Sequence, residues 1–314
     1  MGTLKIAVVQ AAPVWMDREA TVDKVASLVK EAAGEGAGVV AFPETFVPGY
    51  PWWAPSDDLR LMSTPLASQR QAWYLREAVN IERGDLDPIV AAAREADSFV
   101  SVGIAELAPS GGSVYASMVM IHPELGVVGV HRKLKPTYVE RVSWADGDGH
   151  GLRVHDWNGW KIGGLNCWEN WLPLPRFSLY SQGEQLHIAC WPGFTANTSG
   201  GITSFIAQEA GIYVASVCGL IGRDLIPTDF PGAEALAEAL LPSMGDGGSM
   251  ICRPDGRVIA EAALDTEEII YADLDQDAVT ATHMMRDVAG HYNRPDVFDL
   301  TVDRTRNIPV TFTD

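Results

Sequence analysis

Short apolar runs that break into polar turns at their carboxyl ends are what most constrain this chain. The sharpest case is Ile162-Gly163-Gly164-Leu165-Asn166-Cys167-Trp168-Glu169-Asn170. Small and apolar residues continue without polar interruption up to Leu165, which reads as a short buried strand. A polar turn follows, with Pro173 and Pro175 ahead of a helical-looking stretch from Arg176 to Ser181. A cysteine at such an exit has its sulfur on a stiff element while the N–H groups of the turn remain free. Attack at a carbon atom followed by stabilisation of the developing charge needs that arrangement. A buried structural cysteine would carry the same apolar flanks, so the rest of the chain has to decide.

Taken in order, Leu4 to Gln10 reads as an apolar strand, Arg18 to Ala33 as an amphipathic helix closed by Gly34, and Gly38 to Phe42 as a second strand. This β-α-β rhythm points to an α/β fold with a buried sheet. Glu44 lies just past the second strand, where an open sheet places functional groups; an exposed loop glutamate is the plainer alternative. The next ten residues, Phe46 to Pro55, hold three prolines and four aromatics. They are poor material for a helix or strand, and suit either a pocket wall or a loop packed on itself. Helices are expected over Ala67 to Glu82 and from Asp87-Pro88 to about Ala96, then a strand from Phe99 to Ala105.

Val114 to Ile121 and Val127 to His131 form one expected hairpin, and Ser249 to Ile259 a second that resembles it. Both carry Ser-Met in the first strand and turn through proline and glycine, a faint sign of two similar halves. Between them His131-Arg132-Lys133-Leu134-Lys135 puts basic residues at a strand end. Lys133 is the candidate for work inside a pocket, whereas Arg132 and Lys135 read as solvated rim charges. The run Asp146 to Gly151, Asp-Gly-Asp-Gly-His-Gly, is a tight loop without the spacing of a phosphate cradle. Strands over Gln185–Trp191, Tyr213–Cys218 and Glu268–Asp273 and helices over Thr198–Gly211 and Ala233–Leu240 complete the pattern. No linker composition marks a boundary, so one domain is expected over residues 1–290, with 291–314 as an extended arm packing at a subunit interface.

Charge narrows the function. The chain of 314 residues carries 23 basic against 41 acidic side chains, a net of −18. Nucleic acid and anionic membranes need a basic footprint, so neither is an expected partner. No apolar run reaches about 18 residues, and no basic-then-apolar leader follows Met1, so a cytoplasmic, reduced protein is expected. The four cysteines, Cys167, Cys190, Cys218 and Cys252, are far apart, and no Cys/His pair has metal-ligand spacing. Neither a metal nor a cofactor is expected.

Several segments together carry a resemblance. Phe42-Pro43-Glu44 with Gly49-Tyr50-Pro51, His131-Arg132-Lys133-Leu134-Lys135-Pro136-Thr137 with Glu140-Arg141, Gly163 to Asn170, and His187-Ile188-Ala189-Cys190-Trp191-Pro192-Gly193 resemble the nitrilase branch of the carbon–nitrogen hydrolase superfamily. The match runs over nearly the whole chain. It implies an α-β-β-α sandwich, a catalytic Glu44–Lys133–Cys167 set with Glu140 beside the lysine, and a homodimer or larger homo-oligomer. Amidase relatives usually have Cys followed by Tyr or a similar residue and an Asp, with Arg-Phe-Pro-Glu further on; here Trp168-Glu169-Asn170 follows Cys167, and the Gly-Tyr-Pro loop also looks like the nitrile-hydrolysing branch.

The chemistry then expected is a small organic nitrile attacked by Cys167, with Glu44 as general base and Lys133 and the backbone N–H of Trp168 stabilising charge. Tyr50, Trp53, Thr137, Trp191 and Pro192 are the expected pocket residues. An amidase or carbamoylase using the same set, a cyanide-degrading enzyme, and a catalytically silent scaffold are the alternatives.

Overall fold

Two six-stranded sheets packed face to face account for the apolar runs. The computed structural model describes residues 2–56, 64–193, 200–240, 244–308 and 310. The first sheet contains β1 (Thr3–Gln10), β2 (Val39–Ala41), β3 (Phe99–Leu107), β4 (Val114–His122) and β5 (Gly126–Arg132), edged by β12 (Glu268–Asp275). The second contains β6 (His155–Trp157), β7 (Trp160–Asn166), β8 (Leu186–Trp191), β9 (Tyr213–Cys218), β10 (Met250–Cys252) and β11 (Val258–Glu261). Their orders are β12-β1-β2-β3-β4-β5 and β6-β7-β8-β9-β10-β11. In both, neighbours pair antiparallel, parallel, parallel, antiparallel and antiparallel in turn. The two Ser-Met hairpins occupy equivalent places, β4–β5 and β10–β11. The faint repeat in the sequence is thus a repeat in the fold.

Apolar side chains fill three layers. Ile6, Val8, Val39, Met118, Ile162, Ile188, Ala215 and Leu274 are buried between the sheets. Outside the first sheet, α1 (Arg18–Gly34) and α4 (Asp87–Glu95) cover Val40, Val100 and Val119. Outside the second, α5 (Pro173–Tyr180) and α6 (Gly200–Ala210) cover Ala189, Trp191 and Val214. Strands buried on both faces have no need to alternate, which is why they read as continuous apolar runs. The result is the expected α-β-β-α sandwich. Among the described residues no helix is long and apolar enough to cross a membrane.

One helix ends earlier than its composition suggests. The helix expected over Ala67 to Glu82 is α3 (Pro65–Glu77), after the short α2 (Trp53–Ser56), because the strand β3 claims the next backbone groups. Val79 N–H donates to the Ala105 carbonyl at 2.7 Å and its own carbonyl accepts from Leu107 N–H at 2.8 Å. Sheet pairing wins over helix propensity there.

Far along the chain, residues 304–307 of the extended arm dock on their own subunit. Arg306 donates to Asp148 Oδ1 at 3.0 Å and to the Val130 carbonyl at 2.8 Å, and Asn307 N–H donates to Asp148 Oδ2 at 3.0 Å. The expected helix start at Thr198 lies outside the described residues, as does Asp314.

Gly103 on β3 is required by the turn that presents Glu44. A Cβ there would collide with the Pro43 carbonyl and the Thr45 N–H. Gly103→Ala is therefore expected to cost about 1–3 kcal/mol as an overpacking change and to lower activity by displacing the turn; denaturant unfolding with a parallel turnover assay measures both.

Candidate active site

Three strand ends meet at one edge of the sandwich. β2 leads into Phe42-Pro43-Glu44, β5 into Lys133, and β7 into Cys167. The Lys133 ammonium lies 2.9 Å from Glu44 Oε1 and 2.6 Å from Glu140 Oε2, with all three side chains buried. Cys167 Sγ and one oxygen of each glutamate lie within 4.8 Å of one another. Four groups expected from the sequence are thus brought together.

The electrostatics follow from burial. Burial pushes the Glu44 carboxyl upward, Lys133 pulls it back and Glu140 pushes again, leaving it raised from 4.5 to about 8. Burial likewise pushes the Cys167 thiol well above its ordinary range, against the pull of Lys133 and a hydrogen bond from Trp168 N–H. Burial alone would lower Lys133, but Cys167, Glu44 and Glu140 outweigh it and hold it well above its ordinary value. The lysine is therefore an ammonium. Although Glu44, Glu140 and Cys167 are a possible metal-ligand set, that ammonium already contacts both carboxylates where a cation would bind.

Each member is held from behind. Glu140 sits on the 3-10 turn Tyr138–Val142. It accepts from Thr137 N–H at 2.6 Å and from Tyr50 Oη at 2.8 Å. Glu44 N–H reaches the Trp191 carbonyl at 3.4 Å, and Glu44 Oε2 has no hydrogen-bond partner among the described residues. Lys133 N–H donates to the Ala116 carbonyl at 2.7 Å and the Lys133 carbonyl accepts from Gly147 N–H at 2.9 Å. The Asp-Gly-Asp-Gly-His-Gly run finds its use here. A Cβ on Gly147 would collide with the Arg132 and Lys133 carbonyls, and one on Gly151 with the His131 Cα. Those glycines let the loop lie directly against the lysine strand.

Cys167 opens a 3-10 turn, Cys167–Trp171, with φ at +52°. A non-glycine residue there is uncommon and costs on the order of 1–3 kcal/mol, a form of strain that clusters at functional sites. Glu169 helps hold the turn. It accepts from Asn166 N–H at 3.0 Å, from Leu134 N–H at 2.5 Å, and pairs with His131 Nε2 at 3.0 Å. Burial favours a neutral Glu169, but His131 and the two N–H donors outweigh burial and keep its pKa low. This carboxylate staples the cysteine turn to the chain on both sides of Lys133. Its role was not read from the sequence, although Asn166-x-x-Glu169 and Thr137-x-x-Glu140 both have the spacing of a capping box.

The other expected residues fall in different places. Tyr50 and Thr137 meet at Glu140, and Tyr50 and Pro192 border a small cavity beside Glu44. Trp53 is buried edge-on against Trp15 and Tyr74, at 6.0 and 5.3 Å between ring centroids. The Trp191 ring is fully buried in the cluster with Ile202 and Ile206. The Trp168 ring is half exposed and stacks on Trp171 at 5.8 Å, while the Trp168 backbone N–H draws the Cys167 thiol pKa down. Trp144, which sequence reasoning passed over, lies 5.3 Å from Lys133 Nζ, over the ring face.

Comparison with known proteins agrees with this geometry. The carbon-nitrogen hydrolase family signature matches residues 5–284. The chain is 38% identical over 314 residues to a protein named Nitrilase 2 from an unknown prokaryotic organism, covering 100% of this chain and 96% of that one. It is 35% identical over 325 residues to an aliphatic nitrilase of Rhodococcus rhodochrous, covering 99% and 82%. Among solved structures, Nit3 of Saccharomyces cerevisiae, a member of branch 10 of the nitrilase superfamily, superposes with a TM-score of 0.72 at 18% identity, covering 93% and 97%. That last likeness is one of fold. The chain belongs to the carbon–nitrogen hydrolase family, and its buried cysteine, lysine and paired glutamates make it a nitrilase-like hydrolase.

Proposed function

We propose that the protein hydrolyses an organic nitrile to a carboxylic acid and ammonia, with Cys167 as nucleophile. The observation that carries this is the buried cluster in which a thiol, a carboxylate oxygen with no partner among the described residues, and an ammonium converge. Glu44 Oε2 takes the thiol proton as sulfur bonds to the nitrile carbon, and hands that proton to the nitrogen to give a thioimidate. Water adds to that carbon and both of its protons pass by way of Glu44 to the nitrogen, so that the C–N bond breaks, ammonia leaves and a thioester remains. A second water adds, losing a proton to Glu44; the C–S bond breaks, Glu44 hands that proton to the sulfur, and the acid departs. Breaking C–S one step earlier would release an amide.

Lys133 and the Trp168 N–H stabilise the charge that builds on nitrogen and then on oxygen. A donor of this kind is worth about 3 kcal/mol, or roughly 10²-fold in rate. Glu140 fixes Lys133 and helps order the water. The curated relatives at 35–38% identity carry nitrilase names, which supports the nitrile reading over an amide. Tyr50, whose hydroxyl donates to Glu140 at 2.8 Å, is the expected pocket residue best placed to border substrate. A homodimer or larger assembly fits the exposed Tyr292, Val297 and Phe298 of the arm; a monomeric mass by light scattering would argue against it.

A panel of nitriles, cyanide and matching amides, with acid, amide and ammonia quantified separately, tests the substrate class. Acid from nitriles, abolished in Cys167→Ala, is the expected result; turnover of amides alone would reassign the protein to amide hydrolysis.

The pH profile tests the base. Glu44 must be ionised to accept the thiol proton, and its pKa is raised to about 8, so kcat/KM should rise through a limb near that pH. Glu140 contributes to the upward push. Glu140→Gln removes one negative charge, so the limb should move to lower pH, above a reduced plateau; an unmoved or higher limb would exclude Glu44 as the titrating base.

A further inference from the structure

Behind the Cys167 turn lies a second buried polar chain that the reaction above does not use. Glu184, His187 and Asn170 are each at most 1% exposed. His187 Nδ1 lies 2.8 Å from Glu184 Oε1, and His187 Nε2 lies 2.8 Å from Asn170 Oδ1. Asn170 Nδ2 in turn donates to the Leu165 carbonyl at 3.1 Å and the Cys167 carbonyl at 2.9 Å. Gly163 belongs to the same device, since a Cβ there would collide with the Glu184 carboxyl. Gly163, Asn170 and His187 all stood in the segments that carried the family resemblance, without a role.

The protons can be placed from these contacts alone. Two carbonyls can only accept, so the Asn170 amide must turn its NH₂ toward Leu165 and Cys167. Its Oδ1 then accepts, which puts a proton on His187 Nε2. Between His187 Nδ1 and Glu184 Oε1 there is one further shared proton, and the pair is neutral overall whichever atom holds it. The direction of the chain is thus fixed, from Glu184 through His187 and Asn170 to the Cys167 carbonyl.

That carbonyl belongs to the peptide plane joining Cys167 to Trp168. In a trans peptide the C=O and the N–H point in opposite directions. A grip on the Cys167 carbonyl from the core side therefore fixes the direction of the Trp168 N–H, which the peptide plane turns the opposite way. The same grip opposes relaxation of the left-handed Cys167 backbone, φ +52°.

We propose that Glu184, His187 and Asn170 form a positioning relay that orients the Trp168 N–H as the donor for the developing negative charge. The relay touches no reacting atom and acts only through the Cys167–Trp168 peptide. It rests on the reading of Trp168 N–H as that donor, and not on whether the substrate is a nitrile or an amide.

The test compares wild type with His187→Leu, His187→Gln and Asn170→Asp, using whichever of the two substrate classes the wild type turns over. Three quantities are read: kcat and KM, the rate of Cys167 alkylation by iodoacetamide, and thermal unfolding. Iodoacetamide is a probe of the thiol without the donor, because sulfur displaces iodide at a saturated carbon and no oxyanion forms. His187→Leu should lower kcat on the order of 10²-fold, the loss of one such donor, with KM and the alkylation rate near wild type. His187→Gln keeps an N–H toward Asn170 and should recover most of the rate. Asn170→Asp keeps the size but loses both donations, and should match the leucine variant; it also serves if His187→Leu does not fold.

Unchanged kcat in a folded His187→Leu or Asn170→Asp protein would overturn the relay. So would a parallel fall of turnover and alkylation that His187→Gln does not recover, which is the mark of a merely structural role. Wild-type turnover of amides alone would sink the nitrile reading and leave this comparison standing. Full activity in Cys167→Ala would remove the nucleophile and the relay together.

Discussion

The ammonium of Lys133, held between two buried carboxylates, is the interaction on which the site depends. Taking an ion out of water costs several kcal/mol even after relaxation, and only close opposite charges and hydrogen bonds offset it. Here one cation faces two potential anions, so both cannot be equally satisfied. Glu140 is bound by Lys133 Nζ, Thr137 N–H and Tyr50 Oη. Among the described residues the Glu44 carboxyl has only Lys133, and one of its oxygens has no partner. Burial, with the charge of Glu140 added and Lys133 opposing, leaves Glu44 carrying a proton up to about pH 8. A group so poised can exchange a proton with a thiol, which a fully solvated glutamate would do poorly near neutral pH.

The sandwich makes this cluster possible by supplying the two sides from different sheets. Glu44 and Lys133 leave the ends of β2 and β5 in the first sheet, and Cys167 leaves the end of β7 in the second. Cross-links join the sheets beside the chemistry: Cys190 Sγ reaches the Phe42 carbonyl at 3.2 Å, and Glu44 N–H reaches the Trp191 carbonyl. Glu169 adds a third, from the cysteine turn to the lysine strand. Rigid strand ends tied at several points keep reacting groups in register, a demand that loops alone meet less well.

Much of this was legible because it is local. Continuous apolar runs marked the strands, proline and glycine marked the turns, and Glu44, Lys133, Glu140 and Cys167 each followed such a run. The paired Ser-Met hairpins also foretold the repeat between the sheets. What escaped reading depends on partners distant in sequence. The end of α3 is set by β3, and the need for glycine at Gly103 comes from the Glu44 turn. His131 with Glu169, and Glu184 with His187 and Asn170, are polar residues inside apolar surroundings whose purpose is visible only when the partner is adjacent. Aromatic residues were harder still. Trp53 and Trp191 are buried in apolar clusters, and Trp168 exposes its ring while offering its backbone, distinctions that composition does not encode.

Protonation of Glu44 is the point at which these arguments converge, and difference infrared spectroscopy across a pH titration reads it directly. A buried carboxylic acid band should disappear with a midpoint near 8 in the wild-type protein and be missing in Glu44→Gln. A carboxylate signal from Glu44 already present well on the acid side of that midpoint would contradict the view that one lysine is shared by two carboxyls, and with it the assignment of Glu44 as the base.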